Sequence, residues 1–254
     1  MAARSSLTFP TPKMKMVRFL FALIVVSNLD IPISDTSVMI LAFDTYYYDG
    51  YSYTVCAAFD NWASDKAKFH VSNRRKGIDA EYTPGELYKR ELPCIMQCLS
   101  HINVNDVTSI IVDGFSWVVD DNGKQAPGLG KRLQDAILDK YGHYLSVIGV
   151  AKNPYHKEIP FCHKVFRGES NKPLYVTCTE NEFAEHYAAE IKLMYGKYRI
   201  PDILKEVDTR TRQHKEEAER DEEHKLHNLS IDFSAFDEWV AETEKNGFVY
   251  RDVT

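Results

Sequence analysis

Thr108-Ser-Ile-Ile-Val-Asp113-Gly114 decides how the rest of the chain is read. The run is apolar and β-branched, the length of one buried strand, and it stops at an acid followed by a glycine. In open α/β folds, ligands sit beyond the carboxyl ends of the central strands, so a carboxylate there faces the mouth of the sheet. Two further acids can meet it. Asp44 ends the apolar run Met39-Ile-Leu-Ala-Phe43, and Glu91 falls on the apolar stripe of a helix. Three converging carboxylates repel one another unless a cation holds them, and an all-oxygen set suits a hard divalent ion.

Upstream of this run, Met39–Phe43 is expected to be a strand that ends at Asp44. Asp49-Gly50 has hairpin chemistry, and Tyr53–Phe59 alternates as a returning strand. A third strand is expected around Ala67–Ser72, which makes an antiparallel meander. Pro84 and Gly85 stiffen the turn after Tyr82. A helix then spans about Glu86–Ser100, with Leu87, Cys94, Ile95, Cys98 and Leu99 on its apolar side. Glu91 is four residues after Leu87 and four before Ile95, so it shares that stripe. A lone acid there is costly or takes up a proton. A basic partner would satisfy it, but Asp44 and Asp113 favour a shared cation.

Downstream, residues 115–128 are expected to form a loop, Leu129–Tyr141 a helix and Tyr144–Val150 a buried strand. Lys152 follows that strand, placed either to meet a phosphate or simply to be solvated. Phe161–Phe166 and Pro173–Cys178 suggest two more strands. Glu180–Met194 suggests a helix with Phe183, Tyr187, Ile191 and Met194 on one face. Asp202–Thr211 suggests another, with Ile203, Leu204 and Val207 inward and Asp208 at the edge. The charged run Gln213–Lys225 is expected to be an exposed or disordered linker, leading to an amphipathic patch of Phe233, Phe236, Trp239 and Val240. The element order predicts an α/β fold: an RNase H-like mixed sheet, antiparallel meander plus parallel strands, flanked by helices.

The net charge of -6 is unevenly spread. Residues 215–254 hold 12 acids against 5 Lys and Arg, a net of -7, so residues 1–214 carry about +1. A nearly neutral body permits a local basic groove. The expected organisation is an extension over 1–38, a folded domain over 39–213 and an acidic tail over 214–254. In the extension, the basic stretch Lys13–Arg18 precedes the apolar Phe19–Val26, as in a signal peptide; the expected reading is an overextended or disordered segment outside the fold, because residues 1–38 carry no periodic pattern and include Pro10, Pro12 and Pro32. The five cysteines are odd in number and sit mostly in apolar contexts, so reduced core thiols and a cytoplasmic location are expected. No apolar run is long enough to span a membrane.

The stretch from about Met39 to Gln213 resembles the endonuclease V family, metal-dependent enzymes that cut near deoxyinosine in DNA or inosine in RNA. The matching segments are Leu41-Ala-Phe-Asp44-Thr-Tyr; Tyr82-Thr-Pro-Gly-Glu-Leu-Tyr-Lys-Arg-Glu91; Ile110-Ile-Val-Asp113-Gly114; Ile148-Gly-Val-Ala-Lys152; Lys172-Pro-Leu-Tyr-Val176; and Tyr198-Arg-Ile-Pro201 leading to Asp208. The resemblance implies an RNase H-like fold, with Asp44, Glu91 and Asp113 holding Mg²⁺ or Mn²⁺. It places Asp208 near the metal, Lys152 near the scissile phosphate, and Tyr82, Pro84 and Gly85 as a wedge beside the altered base. It also implies a nucleic-acid partner; no membrane association and a monomer are expected. Two segments depart from the family. The histidine-proline pair after Asp-Gly is replaced by Phe115-Ser-Trp-Val-Val-Asp-Asp, and the Ser-x-Gly-His segment by Thr177-Cys-Thr-Glu-Asn. The alternative function is a non-catalytic nucleic-acid-binding module on the same fold.

Overall fold

The computed structural model of the protein describes residues 38–76 and 86–221. Residues 1–37, the Tyr82, Pro84 and Gly85 turn, and the tail from 222 with its Phe233, Phe236, Trp239 and Val240 patch lie outside the described residues. In chain order the elements are β1 (Met39–Tyr48), β2 (Tyr51–Phe59), β3 (Phe69–Lys76), α1 (Tyr88–Leu99) and β4 (Val107–Asp113). There follow a short hairpin of β5 (Trp117–Val119) and β6 (Gln125–Pro127), then α2 (Leu129–Tyr141), β7 (Ser146–Ala151), β8 (His163–Val165), β9 (Leu174–Cys178) and α3 (Ala184–Leu193). A further helix, α4, covers residues 202–221.

Seven strands form one sheet in the order β3-β2-β1-β4-β7-β9-β8. The first three are an antiparallel meander. β4 runs parallel to β1 and β7 parallel to β4, while β9 and β8 close the far side antiparallel. This is the expected RNase H-like mixed sheet. Helices cover both of its faces. Leu41, Phe43, Ile110, Val112 and Val147 pack with Ile95 of α1 and Leu133 of α2. Ile40, Ala42, Ile111, Ile148 and Val176 pack with Ile191 of α3 and Val207 of α4. Consecutive residues of a strand point to opposite faces, so the unbroken apolar run of β4 follows from a sheet buried on both sides. Ile110 and Ile111 are 0% and 1% exposed on their opposite faces, each burial contributing about 1.5–3 kcal/mol.

β1 does not end at Asp44 as expected. It continues to Tyr48 because β2 pairs with its whole length, down to Tyr48 opposite Tyr51. Asp49 (φ 49°) and Gly50 (φ 70°) make the left-handed two-residue turn that suits a twisted hairpin. Pairing of β1 with β4 does stop there, at Phe43 opposite Val112. Asp44 therefore lies inside a strand, yet is the first residue of β1 beyond its parallel neighbour.

The charged run expected as a linker is helical through residue 221. Its partners are the tyrosines of the β1–β2 hairpin. The Arg212 guanidinium lies 4.8 Å from the Tyr46 ring, Lys215 Nζ lies 4.3 Å from that of Tyr48, and His214 meets Tyr53 edge-on at 5.7 Å. The two cation–π contacts and the edge-on ring contact, with the Lys215–Glu219 pair at 2.8 Å along the helix, give a polar segment a surface to fold against.

Other differences are local. β5 and β6 make a hairpin within the expected loop. α3 begins at Ala184, after a 3₁₀ turn over Asn181–Phe183, so Phe183 is exposed and Ala184 and Ala188 take the core positions. The third strand runs later than expected, and β8 is a short edge strand. All five cysteines are free, and all but Cys162 are buried. Among the described residues, no helix is long and apolar enough to cross a membrane.

Candidate active site

β1, β4 and β7 are parallel neighbours, and Asp44, where β1 passes the end of its pairing with β4, Asp113, the last residue of β4, and Lys152, just past β7, come to one edge of the sheet. The chain leaves β4 sharply. Gly114 takes φ 142°, a conformation that disfavours a side chain, and its N–H donates to Val150 O at 3.3 Å. The loop then folds over Gly149. A Cβ there would lie 2.5 Å from Ser116 N and 2.7 Å from both Gly114 O and Thr177 Oγ1. Ser116 N–H donates to Thr177 Oγ1 at 2.9 Å, and Ser116 Oγ donates to Val147 O at 2.8 Å. Thr177 thus anchors the corner that presents Asp113.

A cleft of ≈ 520 Å³ opens at this edge, lined in part by Asp44, Glu91, Asp113 and Lys152. Glu91 reaches it from α1 on one face of the sheet, and α4 brings Asp208 from the other. Lys152 Nζ donates to Asp113 Oδ2 at 2.9 Å and to Asp208 Oδ1 at 3.3 Å. The structure therefore groups all five expected chemical residues, and Tyr82, Pro84 and Gly85 lie outside the described residues.

Electrostatics show how crowded with negative charge this edge is. Glu91 is 6% exposed; burial first, then the charges of Asp44 and Asp113, push its carboxyl well above the usual range. Arg90 beside it pulls the other way but does not prevail. Asp44 is pushed up to about 7, by burial and then by Asp113, against the pull of Lys152 and the Thr45 N–H, which donates to Asp44 Oδ1 at 2.8 Å. Burial alone would raise Asp208. Lys152, a proton shared with Asp44, and Arg212 together bring it below the usual range. Burial likewise works against the Lys152 ammonium, and the carboxylates of Asp113, Asp44 and Asp208 outweigh it, so Lys152 stays protonated.

These acids fit a divalent cation by their chemistry. Their donors are hard carboxylate oxygens, and burial, then the neighbouring carboxylate charges, raises two of the three. As placed, they do not form a closed cage: among the described residues, no three His, Cys, Asp or Glu side chains converge closely enough to hold an ion.

Sequence reasoning missed several residues of the site. The Tyr47 hydroxyl is buried next to Glu91 without a well-formed hydrogen bond among the described residues, and Arg90 stacks over the Tyr47 ring at 3.8 Å. The Arg90 position, one before Glu91, carried no signal of its own. Phe115, Tyr155 and His156 also line the cleft, Phe115 meeting Tyr155 edge-on at 5.7 Å. Asn153-Pro-Tyr-His156 follows the end of β7, and its position beyond a central strand was a readable hint.

Among solved structures, the chain is similar to endonuclease V from Streptomyces avermitilis, with 22% identity, a TM-score of 0.52, and coverage of 72% of this chain and 83% of that one. It is also similar to Endonuclease_V from Bacillus subtilis, with 17% identity, a TM-score of 0.51, and coverage of 72% and 82%. No protein-family model matches the chain, and no curated protein matches it. The fold is thus the RNase H-like fold seen in endonuclease V structures.

Proposed function

We propose that the protein is a metal-dependent endonuclease that hydrolyses phosphodiester bonds in DNA or RNA near deoxyinosine or inosine. The observation that carries the reading is the grouping of Asp44, Glu91, Asp113 and Lys152 on one cleft, where the parallel pairing of β1, β4 and β7 ends. Mg²⁺ or Mn²⁺, held by Asp44, Glu91 and Asp113, would supply Lewis acidity and a more acidic bound water. Lys152 sets a permanent positive charge beside Asp113, where a phosphate oxygen gaining charge is stabilised. Asp208 orients that ammonium. Asp44 titrates near neutral pH without a cation, so it can hold a proton at its Oδ atoms until the site is charged. The Phe115 and Tyr155 wall offers aromatic faces to a displaced base, whose unstacking costs a few kcal/mol.

The inosine preference rests on the segment resemblance in the sequence. The Thr177 position, where the family has a Ser-x-Gly-His segment, here holds the Ser116 corner instead. A second reading, a binding module without cleavage, is favoured by the open arrangement of the acids. The test is cleavage of end-labelled inosine-containing single-stranded RNA, single-stranded DNA and duplex DNA with Mg²⁺ or Mn²⁺, with unmodified controls and Asp44→Ala. Metal-dependent cutting near inosine, lost in Asp44→Ala, supports the proposal. Cutting without inosine preference keeps the nuclease and removes the specificity. Binding without any cutting favours the module.

A further inference from the structure

On the α4 side of the molecule lies a second cleft, of ≈ 560 Å³, whose lining includes Lys197, Tyr198, Arg199 and Lys205 with a single acid, Glu169. Three cations against one carboxylate is a local excess of positive charge on a chain of net charge -6. Tyr198 is 54% exposed, and Lys197 Nζ and Lys205 Nζ lie over its ring, 5.1 and 5.2 Å from the centroid. An outward-facing ring flanked by two ammonium groups is the pairing that single-stranded nucleic acids use: a base stacks, and phosphates sit beside it.

The loop that carries this pair is held in place from inside. Arg167, only 6% exposed, donates to the main-chain carbonyls of Lys192, Met194, Gly196, Tyr198 and Arg199. A buried guanidinium saturated by one loop fixes that loop in a single conformation, which lowers the ordering cost of binding. Gly168 (φ 58°) lets the Lys197 carbonyl approach where a Cβ would clash. The cleft also adjoins the candidate active site. Arg199 donates to the carbonyl of Lys152, and Ile200 lines both this cleft and the narrow cavity bounded by Asp44, Asp113 and Lys152.

We propose that this cleft is a second binding site, which takes one unstacked base on Tyr198 and the flanking phosphates on Lys197 and Lys205, from single-stranded nucleic acid extending beyond the Lys152 position. The inference deepens the nuclease reading and rests on it for the strand's direction. Binding is tested in EDTA, so that no cleavage occurs, by fluorescence anisotropy of a fluorescein-labelled oligouridylate and oligothymidylate. Tyr198→Ala should weaken binding about tenfold, and Tyr198→Phe should retain it. Lys197→Gln with Lys205→Gln should reduce the steepness of log K against log salt by about 1.4. Lys140→Gln, which alters an exposed lysine beside Tyr141 on α2, should change nothing. All these side chains are exposed, and unchanged circular dichroism confirms that the variants fold.

Parent-like binding by Tyr198→Ala and by the double variant overturns the inference, as does an equal loss in Lys140→Gln. If the parent cleaves while these variants bind normally, the inference fails and the nuclease reading stands. If the variants weaken binding but the parent cuts nothing with Mg²⁺ or Mn²⁺, the nuclease reading fails and the site stands. A parent that binds neither strand overturns the inference, and the nuclease reading is then decided by the cleavage test alone.

Discussion

Asp44→Asn should make the protein more stable above neutral pH while abolishing its proposed activity. Asp44 lies among carboxylates and is largely removed from water, and its pKa rises from 3.8 to about 7. A folded-state value above the unfolded one means that the acid's stabilising protonation is complete below about 3.8. It is lost as pH rises through about 7. At about 1.4 kcal/mol per pH unit, the full loss comes to about 4 kcal/mol. Water reaching the cleft reduces this, so about 2–4 kcal/mol is expected. Asparagine keeps the oxygen that accepts the Thr45 N–H and carries no charge. Urea unfolding in EDTA from pH 4.5 to 8.5 should show the variant's advantage growing with pH and levelling off above pH 7. With a urea m value of about 2 kcal/mol/M, the midpoints should separate by about 1–2 M. Added Mg²⁺ should stabilise the parent at pH 8 and have much less effect on the variant. A pH-independent difference, or a variant less stable at pH 8, would refute the crowding of negative charge at this edge.

Gly149→Ala should cost about 1–3 kcal/mol in urea unfolding and reduce cleavage as well, because the new methyl displaces the Ser116 corner that presents Asp113. Arg167→Met should lower stability by about 3 kcal/mol or more in thermal or urea unfolding, since five carbonyls lose their donor. Tyr46→Ala with Tyr48→Ala should speed amide hydrogen exchange across residues 212–221 and leave β4 and β7 protected, because only the cation–π seat of α4 is removed. Lys152→Met should raise the pKa of Asp208, seen by carboxylate NMR, because its principal neutralising charge is gone.

The central sheet was legible in the sequence because its signal is local. A β-branched run such as Ile110-Ile-Val112 that is apolar at every position fits a strand covered on both faces. The acids Asp44 and Asp113 announced themselves because each interrupts or ends such a run, and Glu91 because a charge on an apolar helical stripe needs a partner. Where elements stop was not legible, since stopping depends on neighbours distant in sequence. β1 passes Asp44 because β2 pairs with it to the turn, and the polar residues 212–221 stay helical because tyrosines some 165 residues earlier give them a seat.

The residue types at the site, and their order along the chain, were determined by the sequence alone. Only the tertiary structure decided that Lys152 is bonded to both Asp113 and Asp208, that Arg90 and Tyr47 attend Glu91, and that Thr177 braces the Asp113 corner. Charge and hydrogen bonding act over a few ångströms of space, and a sequence records no such distance between residues that far apart.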